Sequence, residues 1–278
     1  MDYPGLNELI SRSLAEDMGY GDITTMSVVP QEQSSEGFLI AKADGIIAGL
    51  GVARAVFAQL DPEADFTCFL EDGCPVSAGS IIAKVRGRSR ALLSAERTAL
   101  NFLQRLSGIA TQTHYLTQLI KDYPAQLLDT RKTTPGLRIL EKYAVAAGGG
   151  CNHRFGLYDG VMIKDNHIIA AGGIAQAVVM ARAKVPHTLK IEVEVENLVQ
   201  LQEALEAGAD IIMLDNMPPA MMKEAVTLVA GRALLEASGG IKAANLAEIA
   251  QTGVDFISMG ALTHSAVSLD ISFDLHQL

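Results

Sequence analysis

The sequence predicts an α/β protein, a βα barrel preceded by a smaller β-rich domain, and three observations carry that prediction. After Tyr123-Pro124, short apolar stretches alternate with helical patterns, at 126–130, 161–163, 189–195, 210–215, 233–238 and 255–259. From Ile191 through Ile211 and Ala233 to Asp255 the spacings are 20, 22 and 22 residues, the period of a compact βα unit. No hairpin signal intervenes, so the strands run parallel. A polar residue or a glycine also ends nearly every stretch: Arg131 and Lys132, Lys164, Glu194, Asp215, Ser238, Gly260. An open doubly wound sheet arises from the same alternation, but it uses only the few strand ends beside its switch point. A barrel brings all of them to one face, which favours the barrel.

The elements follow in order. Leu6, Leu9, Ile10 and Leu14 fall at helical spacing within residues 4–18, and Gly19 to Thr25 reads as a turn cluster. Strands are expected at 37–43, 46–48 and 65–70, with a helix over 52–60. Residues 71–85 have the hairpin pattern of biotinyl and lipoyl carriers. They lack the lysine in a tight turn that such carriers modify, so the stretch is a structural platform. Ser94 is a candidate N-cap for a long helix towards Gln118, broken at Ser107-Gly108. Arg97 then falls in its first turn, where the helix dipole disfavours a cation, and a residue set against local preference hints at function. Pro135 opens a helix that Gly148-Gly149-Gly150 ends. Further helices fit at 174–183, 198–207, 220–229 and 243–252, with Gly208-Ala209-Asp210 and Gly253-Val254-Asp255 as matching turns into the next strand.

The 278 residues suit one large or two ordinary domains, and 49% hydrophobic content with a mean hydropathy of +0.23 argues against disorder. The acidic, amphipathic start lacks the features of a signal peptide, and no apolar run is long enough for a bilayer, so a cytoplasmic protein without a membrane partner is expected. Cys68, Cys74 and Cys151 show no metal-ligand spacing and read as reduced thiols. A net charge of −10 without a long basic tract speaks against nucleic acid. GxxxxGK[ST] and GxGxxG are both missing, which removes the usual signatures of nucleoside triphosphate and dinucleotide binding.

Against that acidic balance, Asp129–His167 holds six Arg and Lys residues to four acids, grouped at strand ends. Such grouping points to a polyanionic small molecule. Residues 84–105 form a second basic stretch, six cations to one acid. Glu192 and Glu194 lie on one side of a strand, and with Asp215 offer carboxylates for ribose hydroxyls or Mg²⁺. Ser238-Gly239-Gly240 and Gly260 follow the last two strands, where barrels bind phosphate.

TRKTTPGLR, EKYAV, GGG, NHR and IKDNH occur in that order, and the chain resembles the quinolinate phosphoribosyltransferases over nearly its whole length. The resemblance implies an incomplete, roughly seven-stranded barrel with a hammerhead-like α+β amino-terminal domain. The domains would be 1–108, joined by the tail 266–278, and 109–265. It implies transfer of phosphoribose from phosphoribosyl pyrophosphate (PRPP) to quinolinate, with loss of CO₂, in NAD biosynthesis. Arg131, Arg154 and Arg97 would clamp the diacid beside His153, with Arg97 supplied by the neighbouring subunit of a homodimer. Lys132 and Lys164 would face the pyrophosphate, Glu194 and Asp215 the ribose and Mg²⁺, and Ser238, Gly239 and Gly260 the 5-phosphate. Ala146 departs from the family, where many members carry Arg. A paralogue acting on another base, or a nicotinate phosphoribosyltransferase, are the rival readings. The intact TRKT, NHR and KDNH strings oppose the first, and the call for two carboxylate clamps opposes the second.

Overall fold

The computed structural model describes residues 4–278. The chain divides into two compact units, one of residues up to His114 with Pro135–Gly149 and Ala266–Leu278, the other of Tyr115–Thr134 and Gly150–Ser265. The helix of residues 135–149, within the barrel domain on the sequence pattern, thus belongs to the first unit.

The first unit begins with helices α1 (Leu6–Met18) and α2 (Ile23–Val28). Helix α2 replaces the expected turn cluster because Asp22 caps it, accepting from the Thr25 backbone N at 2.9 Å. Strands β1 (Ser34–Ala41) and β2 (Gly45–Ile46), helix α3 (Leu50–Leu60), and strands β3 (Asp65–Cys68), β4 (Pro75–Val76) and β5 (Ile81–Arg88) follow. Alternate residues of β1 are buried, the signature of a sheet with one covered face. That antiparallel sheet takes a carboxy-terminal strand on the far side of β1 from β5, while Phe57 of α3 packs against Phe66 and Phe273 with ring centroids 6.0 and 5.7 Å apart.

Helix α4 (Ser89–Leu119) is longer than the pattern predicts and unbroken. It starts five residues before Ser94, so Arg97 lies beyond the first turn and the dipole argument for it falls away. Gly108 serves close packing instead of a break. A Cβ there would stand 2.1 Å from the Val267 carbonyl oxygen.

In the second unit, β6 (Gln126–Leu128) opens the barrel. Helix α5 (Arg138–Ala147), which belongs to the first unit, buries Glu141 and Lys142 completely, and Glu141 pairs with Arg105 at 2.8 Å. Two of the cations counted in the basic segment, Arg138 and Lys142, therefore sit on that helix and not at a strand end. The rest of the barrel is β7 (Val161–Ile163), α6 (Asp165–Ala171), α7 (Ile174–Arg182), β8 (Ile191–Val195), α8 (Leu198–Glu206), β9 (Ile211–Asp215), α9 (Pro219–Val229), β10 (Leu234–Ser238), α10 (Ala243–Ala250), β11 (Phe256–Ser258) and α11 (Ala261–His264). Strand β12 (Ile271–Gln277) then completes the sheet of the first unit.

The parallel sheet has the order β6-β11-β10-β9-β8-β7. First and last strands are neighbours, which is how a βα barrel closes and an open sheet does not. On the free side of β6, Cys151 makes a parallel bridge to Leu128, a one-residue seventh strand. No described ladder joins Cys151 to β7, so the barrel is open there. Six strands and the Cys151 bridge make an incomplete barrel, where the resemblance implies roughly seven strands.

Candidate active site

The barrel strands project alternate residues inward, and register stacks those residues in rows. Glu194 of β8 lies level with Met213 of β9, which lies level with Glu236 of β10; one step on, Asp215 lies level with Ser238. Together with Lys164 at the end of β7, they line a cleft of about 520 Å³ at the carboxyl ends of the strands. Thr130, Arg131, Lys132, His153 and Arg154 line it from the β6 end and the loop after Cys151.

That loop is tied down residue by residue. The fully buried Asp129 carboxylate accepts from Asn152 Nδ2 at 2.6 Å and from the His153 backbone N at 2.8 Å. Asp159 accepts from the backbone N of Phe155 and Gly156 at 2.6 and 2.8 Å, and Arg154 Nη1 donates to the Gly160 carbonyl at 2.9 Å. The Arg154 guanidinium is thereby fixed, yet its buried Nε has no hydrogen-bond acceptor. Burial, and next the adjacent Arg131 guanidinium, hold Arg154 below the usual guanidinium range. Two cations held side by side with a spare N–H form a receptor for a multiply charged anion.

Lys164 and Glu194 form an ion pair across β7 and β8, with the lysine side chain 41% exposed. Beneath them His153 Nε2 faces Glu192 Oε2 at 3.2 Å and Glu236 Oε2 at 3.6 Å. Burial and then the neighbouring Glu192 push the Glu236 carboxyl up to about 7.

Two glycines have side chains of the cleft close against them. Gly239 has φ +87°, and a Cβ there would stand 2.3 Å from Asn216 Oδ1. A Cβ on Gly260 would stand 2.9 Å from Lys132 Cδ, so Gly260 leaves room for that lysine at the cleft.

Of the residues expected from sequence, Arg131, Lys132, His153, Arg154, Lys164, Glu194, Asp215, Ser238 and Gly239 gather in the cleft, with Gly260 against Lys132. Arg97 does not join them. It sits on α4 in the first unit, mostly exposed, 3.7 Å from Glu96. Glu236 and Asn216 are cleft residues that the sequence pattern does not single out. Asn216 has a left-handed backbone, φ +53°, directly after a strand-end carboxylate, and donates to that Asp215 carboxylate at 2.9 Å. Such a turn is a signal that sequence alone hides.

His153, Glu192 and Glu236 converge closely enough for a cation, but the imidazole is already engaged and Mg²⁺ prefers oxygen donors with retained water. Glu194 and Asp215 offer oxygen donors at the open end of the cleft and suit Mg²⁺ better. No described helix is long and apolar enough to cross a membrane.

Residues 22–107 match the amino-terminal domain of quinolinate phosphoribosyl transferase, and residues 109–274 its carboxy-terminal domain. The probable nicotinate-nucleotide pyrophosphorylase (carboxylating) of Bacillus subtilis is 48% identical over 275 residues, 99% of this chain and 95% of that protein. The crystal structure of NadC from Streptococcus pyogenes superposes with a TM-score of 0.96 at 42% identity, covering 100% of this chain and 99% of that one. The nicotinate-nucleotide pyrophosphorylase of Francisella tularensis gives 0.94 at 44% identity, over 99% and 98%. With both domain matches covering the chain almost end to end and the cationic cleft at the barrel mouth, this protein belongs to the quinolinate phosphoribosyl transferase family.

Proposed function

We propose that this chain transfers phosphoribose from PRPP to quinolinate, releasing pyrophosphate and CO₂ and leaving nicotinate mononucleotide. The observation that carries this is the Arg131–Arg154 pair: like charges are forced together, with an unfilled N–H, in a cleft that also offers carboxylates and a glycine turn. A pyridine with two adjacent carboxylates brings further negative charge in the forked geometry that guanidiniums grip.

In this reading the guanidiniums of Arg131 and Arg154 grip the diacid and aim its ring nitrogen at the ribose anomeric carbon. The nitrogen's lone pair forms the new bond as the bond to pyrophosphate breaks. Glu194 and Asp215 stand where positive charge grows on the sugar, and Lys132 and Lys164 where negative charge leaves. Decarboxylation then breaks the ring C–CO₂ bond and leaves the electron pair beside the cationic ring nitrogen. The resulting ylide is internally stabilised and takes up a proton from solvent to give nicotinate mononucleotide, so the protein has chiefly to orient the reactants. Glu194 and Asp215 would hold Mg²⁺, which, when bound, supplies charge neutralisation to the departing pyrophosphate. Ser238, Gly239 and Gly260 take the 5-phosphate. The exposed Arg97 is read as reaching a neighbouring subunit's cleft, making the working unit at least a dimer. Mixing inactive Arg97→Ala and Lys132→Ala proteins then restores some activity.

The decisive assay supplies PRPP, Mg²⁺ and either quinolinate or nicotinate and follows CO₂ and nucleotide. Turnover with quinolinate at least about 100-fold above nicotinate is expected, since a site built for two carboxylates leaves a guanidinium unfilled with one. Equal turnover of the two would refute the diacid reading.

A further inference from the structure

His153 lines the cleft, yet both of its ring nitrogens are engaged by the protein. The Arg154 backbone N donates to Nδ1 at 2.7 Å, while Nε2 faces Glu192 Oε2 and Glu236 Oε2 at 3.2 and 3.6 Å. A ring nitrogen that accepts carries no proton, so the ring is neutral with its one proton on Nε2, directed at the carboxylates. His153 therefore presents its one N–H to Glu192 and Glu236 and not to the cleft.

The two carboxylates do not read as ordinary structural partners. Glu192 is 4% exposed and Glu236 2%, and one oxygen of each has no hydrogen-bond partner. Buried carboxyls with unfilled oxygens are costly, and are kept where they specify a geometry. The geometry specified here runs outward from the barrel floor, from the carboxyls to the imidazole and then to the backbone of Arg154.

Resting on the diacid reading above, we propose that Glu236 and Glu192 are positioning residues for the diacid clamp. They hold His153 in one tautomer, and His153 holds the backbone N–H of Arg154, so that its guanidinium enters the cleft at a single angle. Loss of this support loosens the diacid and leaves the sugar-phosphate side untouched. A proton on Glu236 fits the arrangement, because burial and Glu192 favour its neutral form more than the His153 N–H, the Ser258 hydroxyl and Lys164 favour the charged one. A neutral carboxyl is mimicked by an amide, whose oxygen accepts from Nε2–H and whose NH₂ reaches the spare oxygen of Glu192.

The test compares Glu236→Gln with Glu236→Leu in the full-length protein. The leucine variant is expected to raise KM for quinolinate about 10-fold or more, because small misplacements of a binding group are expensive. Its KM for PRPP stays within about 2-fold, and the glutamine variant keeps the quinolinate KM within roughly 3-fold of the parent. Histidine-selective ¹⁵N NMR, assigned with a His153→Gln protein, reports the tautomer without any turnover. The parent and Glu236→Gln show Nε2–H, and Glu236→Leu shows a mixture. Glu236→Met repeats the comparison if the leucine variant does not fold. Equal rises in both KM values, a glutamine variant as impaired as the leucine one, or a parent His153 protonated on Nδ1 would each overturn the proposal. Failure of the diacid reading would look different: nicotinate turned over as well as quinolinate, with the Nε2–H signal unchanged.

Discussion

At the rim of the cleft Lys164 and Glu194 pair with the lysine side chain 41% exposed, while on the floor Glu192 and Glu236, at 4% and 2%, press on His153. Each region sets carboxylates of the barrel strands against a basic group. At the rim, water screens the charges, so the pair adds little to stability and can trade partners for a ligand. On the floor, a lost partner leaves a buried polar group stranded, so the groups act through geometry and stability. One strand, β8, supplies both regimes through Glu192 and Glu194, two residues apart.

Rim substitutions should therefore damage catalysis with little effect on melting, and the largest effects belong to the guanidiniums. Arg131→Ala and Arg154→Ala each remove a charge-assisted contact worth about 1.5–3 kcal/mol, or roughly 10–150-fold in kcat/KM for quinolinate. Arg131→Lys should recover little, since an ammonium cannot reproduce the fork. Arg131→Ala relieves the repulsion between the two guanidiniums and should leave the melting temperature little changed, so a large drop there would break the contrast between rim and floor. Arg154→Ala also strands the Gly160 carbonyl and should melt earlier. Lys164→Ala comes next, with kcat down about 10-fold and stability within about 1 kcal/mol, read by steady-state kinetics and urea unfolding.

The floor answers to pH. An unfolded glutamate loses its proton near 4.5, whereas Glu236 in the fold keeps it to about 7. Between those values the folded state binds more protons than the unfolded one, so stability falls as pH rises and levels off above 7. In Glu236→Gln that decline disappears, and at pH 8 the variant should be the more stable by about 1–3 kcal/mol. Urea unfolding at pH 5 and pH 8 measures it; an unchanged slope would place the proton elsewhere.

Much of the barrel is legible in sequence because its signals are local. Apolar strands of three to five residues recur at βα spacing, and Gly208 and Gly253 mark the turns between them. Arg131, Lys132 and Lys164 are legible for the same reason, following the ends of such strands, whereas Arg154 stands in the loop after Cys151. The long helix is misread at both its start and its supposed break, because Ser94 and Gly108 carry capping and breaking chemistry that packing overrides. The floor is illegible for a different reason. His153, Glu192 and Glu236 meet only once the loop after Cys151 is tied to Asp129 and the strand registers are set. Local pattern cannot tell that, of Glu192 and Glu194 on one face of β8, Glu192 is the buried one.

The smallest predicted effect tests the turn at the end of β10. Gly239 and Gly240 both have positive φ, +87° and +64°, so alanine strains the backbone at either, by roughly 1–2 kcal/mol. They differ in surroundings. A Cβ on Gly239 would meet Asn216 Oδ1 at 2.3 Å and push its amide off Asp215, whereas on Gly240 the same atom lies at 3.8 Å. Gly239→Ala should thus raise KM for PRPP several-fold beyond Gly240→Ala while the two melt alike. If both variants shifted KM equally, backbone strain alone would explain the glycines, and Asn216 would have no part in holding the strand-end carboxylate.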